Sequence, residues 1–274
     1  MYLDHFGLSE LPFGITPDTS YTVITRSHQE ALNTLLVALG SGEGFIKITG
    51  EVGTGKTLLC RRLLALPEGS VSAYLPNPFL APRTLQLALA EELGLTVSAE
   101  SDDYHLLQSI NRALLEHAAA DRQVVVCIDE AQAMPLETLE SLRLLSNLET
   151  EKRKLLQIVL FGQPELDRKL AEPSVRQLLQ RIAFHYRIGG LAREEVANYL
   201  AHRLRVAGYR GEDVFGSSAV RCLHKASRGT PRLLNILAHK SLLAVFGEGK
   251  HAVRPGHVRR AAADTEGAAS AGWW

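Results

Sequence analysis

The sequence predicts an α/β fold: a parallel five-stranded sheet covered by helices on both faces, followed by a small all-helical domain. Three observations carry this. Short β-rich runs alternate with helix-spaced stretches between Phe45 and Ile188, and alternation of this kind builds parallel sheets. Two of the runs, Val124 to Ile128 and Leu155 to Phe161, are almost unbroken apolar segments, as strands buried on both faces must be. After Gly189-Gly190 the pattern holds helices only.

Taken in order, Phe45 to Thr49 is the first strand and runs into the glycine-rich segment Gly50 to Thr57. A helix follows from Leu58 to Leu66, with Leu58, Leu59, Leu63 and Leu66 available for packing. Val71 to Leu75 is the second strand; after the irregular Pro76-Asn77-Pro78 come helices over Pro82 to Leu93 and Tyr104 to Ala119, the latter capped by Asp102 or Asp103. Gln123 to Ile128 is the third strand. Leu136, Leu139, Leu142, Leu145 and Leu148 recur at helical spacing, so Pro135 to Glu149 is an amphipathic helix. Leu155 to Phe161 and the weaker Ala183 to Ile188 complete the sheet, and Arg193 to Val206, Ser217 to Ser227, Pro231 to Phe246 and Pro255 to Ala263 form the helical part. The expected domains are 1–190 and 191–263, with a flexible Ala, Gly and Ser tail at 264–274 that ends in Trp273-Trp274, either a docking peptide or without a role.

Composition excludes several function classes. Lys plus Arg and Asp plus Glu are 30 each in 274 residues, so no net field recruits nucleic acid or anionic lipid, and there is no strong nucleic-acid signal. Cys60, Cys127 and Cys222 are odd in number, far apart and in apolar surroundings, which suits reduced core thiols. No apolar run approaches the roughly 18 residues of a membrane span, and the first thirty residues do not read as a signal peptide. A cytoplasmic protein is expected.

Chemistry concentrates in Gly50-Glu51-Val52-Gly53-Thr54-Gly55-Lys56-Thr57, the G-x-x-x-x-G-K-S/T pattern of a loop around nucleoside triphosphate phosphates. Gly50, Gly53 and Gly55 let amide N–H groups converge on anionic oxygens; Lys56 reaches the β- and γ-phosphates, and the Thr57 hydroxyl ligates a magnesium ion. With Leu58 opening the next helix, these nine residues, together with Pro231 and Arg232, are the expected nucleotide contacts. Asp129-Glu130 ends the third strand, and ligands of open parallel sheets bind beyond the carboxyl ends of strands. Placed opposite the phosphate loop of a neighbouring strand, Asp129 holds the magnesium through water and Glu130 polarises the attacking water. Gln163 ends the fourth strand, where it helps place that water or merely starts a helix before Pro164. Gly229-Thr230-Pro231-Arg232 opens a helix with Thr230 as cap and Pro231 at the first position. That leaves Arg232 in a first turn that disfavours a cation unless an anion such as a γ-phosphate lies near. Arg181, before the fifth strand, either reaches a neighbouring subunit's nucleotide or is a solvated helix-end arginine, with Arg176 its nearest competitor.

Together the loop, Asp129-Glu130, Gln163, Arg181 and Arg232 resemble the AAA+ ATPases. Within them the chain resembles the general secretion pathway protein A (ExeA/GspA) group. The matching segments are Phe6-Gly7-Leu8-x-Glu10-x-Pro12-Phe13 with Pro17-Asp18, Asp129-Glu130-Ala131-Gln132, Gly162-Gln163-Pro164-Glu165-Leu166, Tyr199-Leu200-x-x-Arg203-Leu204, Ala207-Gly208 and Gly229-Thr230-Pro231-Arg232. The resemblance implies ATP and Mg2+ as cofactors, a homo-oligomer that is a ring or smaller, and partners in pilus or secretion machinery at the inner membrane. Secretion-type members carry a membrane helix and a peptidoglycan-binding region beyond the ATPase part, so an end at Trp274 favours the short relatives of mannose-sensitive haemagglutinin (MSHA) pilus biogenesis. The strand-end residue of the family is more often Asn, Ser or Thr than Gln163. The resemblance also implies that His5 to Phe13 flanks the adenine; packing of Phe6, Leu8 and Phe13 onto the core is the alternative. The rival function is a DNA-handling ATPase of the transposition-helper or initiator type, for which Arg254, Arg259 and Arg260 supply cations. A nucleotide-gated adaptor that barely hydrolyses ATP is a second.

Overall fold

A computed structural model describes residues 2–14, 19–21, 23–65, 69–96, 102–150 and 153–269. Trp273-Trp274, Pro17-Asp18 and Leu66 lie outside them. In chain order the elements are α1 (Leu3–Phe6), α2 (Arg26–Gly40), β1 (Phe45–Gly50), α3 (Lys56–Leu64), β2 (Ser70–Leu75), α4 (Pro82–Glu92), α5 (Asp103–Ala119), β3 (Gln123–Ile128), α6 (Leu136–Leu145), β4 (Gln157–Gly162), α7 (Glu165–Leu170), α8 (Arg176–Leu179) and β5 (Ile182–Ile188). Four helices follow: α9 (Arg193–Val206), α10 (Ser217–Ser227), α11 (Pro231–Gly247) and α12 (Pro255–Ala263).

The chain groups into two compact units. One comprises 28–50 and 55–188 and holds the sheet; the other comprises 1–27, 51–54 and 189–274. In the first, five parallel strands run in the order β2-β3-β4-β1-β5. Val124, Val126 and Ile128 of β3 face one hydrophobic core with α4, α5 and α6, while Val125 and Cys127 face another with α2 and α3. Both faces are covered, which is why the segment reads as continuous rather than alternating. At the sheet edge, β5 alternates between half-buried and exposed residues and is correspondingly less legible.

One expectation is corrected here. The strand carrying Asp129 is not the neighbour of β1, because β4 lies between β1 and β3 and pairs with both. Gln163, just past the tip of β4, thereby comes between the loop and the acidic pair. Helix α2 was not anticipated, although its buried His28, Ala31, Leu32, Leu35 and Ala38 keep helical spacing. The helix expected over Pro135 to Glu149 stops at Leu145, and Glu149 instead bridges Lys154 in an antiparallel turn.

In the second unit, α9 to α12 enclose a core of Leu200, Leu204, Leu223, Leu234, Leu237 and Leu242. Tyr2, Phe6, Leu8, Phe13 and Tyr21 belong to the same core, so the amino-terminal segment, expected with the sheet, groups with the helices. The physical reason is visible at two clips. Ser9 donates from N–H and hydroxyl to the Ala207 carbonyl at 2.8 and 2.9 Å, and the buried Arg203 guanidinium reaches the Pro12 carbonyl at 2.5 Å and lies over the Tyr21 ring. Phe6, Leu8 and Phe13 therefore pack in the core, the alternative to flanking a base. The tail expected to be flexible from Asp264 is held at its start: Asp264 pairs with Lys240, and the Ala269 N–H donates to the Ala226 carbonyl at 2.9 Å.

Candidate functional site

The loop connects β1 to α3 through backbone that only glycine adopts cheaply. Gly53 and Gly55 have φ of 79° and 87°, in the left-handed region. Within the loop tip, Thr54 is buried and closes a turn by donating both N–H and hydroxyl to the Glu51 carbonyl, while Val52 is exposed. Gly50 ends β1 and its carbonyl accepts from the Lys56 ammonium at 2.8 Å, so a buried cation stands inside the loop. Thr57 and the half-buried Leu58 lie in the first turn of α3, where unsatisfied N–H groups and the helix dipole favour anions. One neighbour escaped the sequence reading. The buried His28 packs over Gly55 so closely that a Cβ there would stand 2.4 Å from its Nε2.

Beyond the strand tips, the Thr57 hydroxyl donates to Asp129 Oδ2 at 2.7 Å, and Asp129 Oδ1 accepts the Glu130 N–H at 2.9 Å. Asp129 is 3% exposed. Tyr74 of β2 flanks it: burial, and next the Asp129 charge, push its phenol up to about 12. Cys60 and Cys127 are buried beneath, and a hydrogen bond between the thiols, with burial, pushes the Cys60 thiol up and keeps it inert. Glu130 has φ 51°, left-handed for a non-glycine residue, and its Oε2 accepts from Gln132 Nε2 at 2.5 Å and Gln163 Nε2 at 3.0 Å. The Gln163 carbonyl also accepts from Leu166 N–H at 2.9 Å at the start of α7, the helix-starting part, while its side chain bonds to Glu130.

In the helical unit, Thr230 occupies the N-cap of α11 without a side-chain capping bond, Pro231 follows at the first position, and Arg232 is exposed in the first turn. Arg232 lies against the loop tip: a Cβ on Gly53 would stand 2.4 Å from its Cβ. Arg181 lies elsewhere. Its Nη1 donates to Ser146 Oγ at 2.7 Å and to the Arg143 carbonyl at the end of α6, and it precedes Ile182, which pairs with Phe45 at the start of β1. The exposed Arg176 opens α8, just ahead of it in the chain.

Residues 38–170 match the AAA domain family. General secretion pathway protein A of Aeromonas hydrophila is 42% identical over 275 residues, covering 100% of this chain and 50% of that protein. Residues 38–170 thus carry the likeness to the AAA domain family, and the chain along its whole length is similar to general secretion pathway protein A. It spans about half the length of that curated relative. Among solved structures, Cdc6p from Pyrobaculum aerophilum superposes with a TM-score of 0.64 at 17% identity, over 92% of this chain and 70% of that one. ORC2 of Aeropyrum pernix gives 0.60 at 17% identity over 93% and 73%, and Thermotoga maritima RuvB 0.54 at 15% over 87% and 68%. At such identities these three speak for the AAA+ fold alone.

Magnesium fits the residues present. A threonine hydroxyl and a carboxylate converging at 2.7 Å offer hard oxygen donors, and magnesium is commonly bound by one or two such groups with waters and phosphate oxygens. Among the described residues no cluster of three or more His, Cys, Asp or Glu suits a metal, so no all-protein cage competes. No helix among them is long and apolar enough to cross a membrane.

Proposed function

We propose that this AAA+ chain is a magnesium-dependent ATPase whose hydrolysis drives assembly of a type IV-like, MSHA-type pilus or a type II secretion apparatus. The observation that carries the enzymatic part is the meeting of Thr57 with Asp129 at 2.7 Å, with Glu130 on the same turn. Thr57 and Asp129 would hold the magnesium ion, which would supply charge neutralisation on the phosphate oxygens. The loop amides from Gly50 to Leu58 grip the polyphosphate and Lys56 balances its β- and γ-charges. Glu130 takes a proton from water as the new O–P bond forms and the bridging bond breaks, leaving ADP with the electron pair. Arg232, beside the loop tip, senses the γ-phosphate for the helical unit.

Arg181 acts on the nucleotide of another subunit. In the register of β1 and β5 it sits level with the start of β1, five residues from Gly50, or about 17 Å along the strand. An arginine side chain cannot cover that span within its own chain, which supports a homo-oligomer with shared sites. Partners at the inner membrane are inferred from the family, since the relative is named for secretion.

The test is steady-state ATP turnover in Lys56→Ala, Glu130→Gln and Arg181→Ala. Each is expected to fall at least about a hundredfold below wild type, and mixing Lys56→Ala with Arg181→Ala should restore part of the activity. Near-wild-type turnover in all three refutes the assignment. The DNA-handling alternative predicts a salt-dependent shift of duplex DNA by the chain; no shift at low salt closes it.

A further inference from the structure

Glu130 is a long side chain on an unusual piece of backbone. Left-handed geometry at a non-glycine residue is strained and persists only where its surroundings enforce it. Here the enforcement is a short 3-10 turn, Ala131–Ala133, closed by Ala133 N–H to the Glu130 carbonyl at 2.8 Å. Lys169 of α7 clamps this turn from outside, donating to the carbonyls of Gln132 and Met134 at 2.6 and 2.7 Å. Inside, Gln132 makes two bonds at once. Its Oε1 accepts the main-chain N–H of Gln163 at 2.9 Å, and its Nε2 donates to Glu130 Oε2 at 2.5 Å. The amide orientation is dictated by chemistry, because the Gln163 N–H can only donate and the Glu130 carboxylate can only accept. Glycine at 162 lets the carboxamide approach the strand tip: a Cβ there would stand 3.3 Å from Gln132 Oε1 and 2.7 Å from Leu166.

We propose that Gln132 is a positioning residue for hydrolysis, setting the Glu130 carboxylate for the attacking water, with Lys169 holding the turn that carries both. The inference rests on the reading of Glu130 as the base. A glutamate has three side-chain torsions and, untethered, samples several rotamers. Two amide donors on Oε2, from Gln132 and Gln163, fix the carboxylate plane and present Oε1 to take the proton. Gln132 is also the only one of the four side chains here that bonds both to the acidic tip of β3 and to the main chain just past β4. It thus ties the orientation of the base to the strand that separates it from the phosphate loop.

Two variants test this on the full chain, each measured for turnover, for magnesium–ATP affinity by calorimetry and for melting temperature. Gln132→Met keeps the shape and loses both bonds; Gln132→Glu keeps the acceptor for Gln163 N–H but sets a second carboxylate against Glu130. In both, kcat should fall about tenfold to a hundredfold, the scale for a misplaced reacting group, while Kd stays within about twofold of wild type. A merely structural Gln132 would lower affinity and melting temperature together with kcat, and that pattern, unchanged kcat, or failure of both variants to fold overturns the proposal. Glu130→Gln run in parallel separates the two readings: if it stays active the base assignment falls, and if it is inactive while both Gln132 variants turn over normally only the positioning role falls.

Discussion

Gly53→Ala perturbs the loop tip where it lies against the start of α11. At φ 79° an alanine takes a left-handed conformation that costs about 1–2 kcal/mol. The new methyl would also stand 2.4 Å from Arg232 Cβ and 3.4 Å from Arg232 N, whereas carbon atoms settle at about 3.5–4.0 Å. Neither partner is the far end of a flexible side chain, so loop or helix must shift by about 1 Å, and overpacking of this kind costs about 1–3 kcal/mol. The sum is about 2–5 kcal/mol. Urea unfolding reads it as stability, and magnesium–ATP calorimetry reads it as affinity, because a displaced loop tip no longer aims its amides. Arg232→Ala leaves the Cβ in place and should not relieve the strain, whereas Arg232→Gly removes it; in a double-mutant cycle only the glycine should couple with Gly53→Ala by more than about 1 kcal/mol. Gly53→Ala with stability and affinity both within about 0.5 kcal/mol of wild type would show that the loop is not held as described.

Further outcomes follow from other contacts. Thr57→Val removes the hydroxyl bonded to the nearly buried Asp129 and should lower kcat at least about tenfold, with Thr57→Ser restoring most of it in the same turnover assay. Gly229→Ala should destabilise by about 2 kcal/mol or more in urea, since φ is 72° and its Cβ would stand 2.3 Å from the Leu191 carbonyl oxygen. Glu248 bonds to Lys250, Arg260 and His257, which together hold its carboxyl down at about 2, against an ordinary value of 4.5. A depressed carboxylate stabilises the fold above the unfolded value and loses that contribution as pH falls toward 2. Glu248→Gln should therefore melt below wild type at pH 7, and the gap should close on acidifying from 4.5; a gap constant down to pH 3 contradicts the ion network.

Most of the sheet was legible because its signals are local. A strand covered on both faces shows apolar residues at every position, as Val124 to Ile128 does, and a phosphate loop is eight consecutive residues whose glycines, lysine and threonine have separate physical duties. The acidic pair could be singled out because a buried strand runs straight into it. Helix α2 carries a readable periodicity in its buried Ala31, Leu32, Leu35 and Ala38, whereas α7 and α8 are too short for any period to emerge. Gln132 stood in the Asp-Glu-Ala-Gln motif with no visible duty. His28 and Lys169 gave no signal at all, since a lone histidine or lysine on a helix reads the same whether it meets solvent or a loop.

The amino-acid sequence by itself determined which segments are strands and helices, where the triphosphate loop lies and which carboxylates end a buried strand, since each depends on residues adjacent or a turn apart. Only the tertiary structure decided that β4 enters between β1 and β3, that residues 1–27 join the helical unit, that Gln163 and Gln132 share one oxygen of Glu130, and that Arg181 sits at the opposite end of β1 from its own loop. Those outcomes are set by pairings between residues far apart in the chain, such as Phe45 with Ile158 and Ile182. Periodicity shows which side of an element is apolar, but the neighbour it buries against is chosen by the packing of the whole chain.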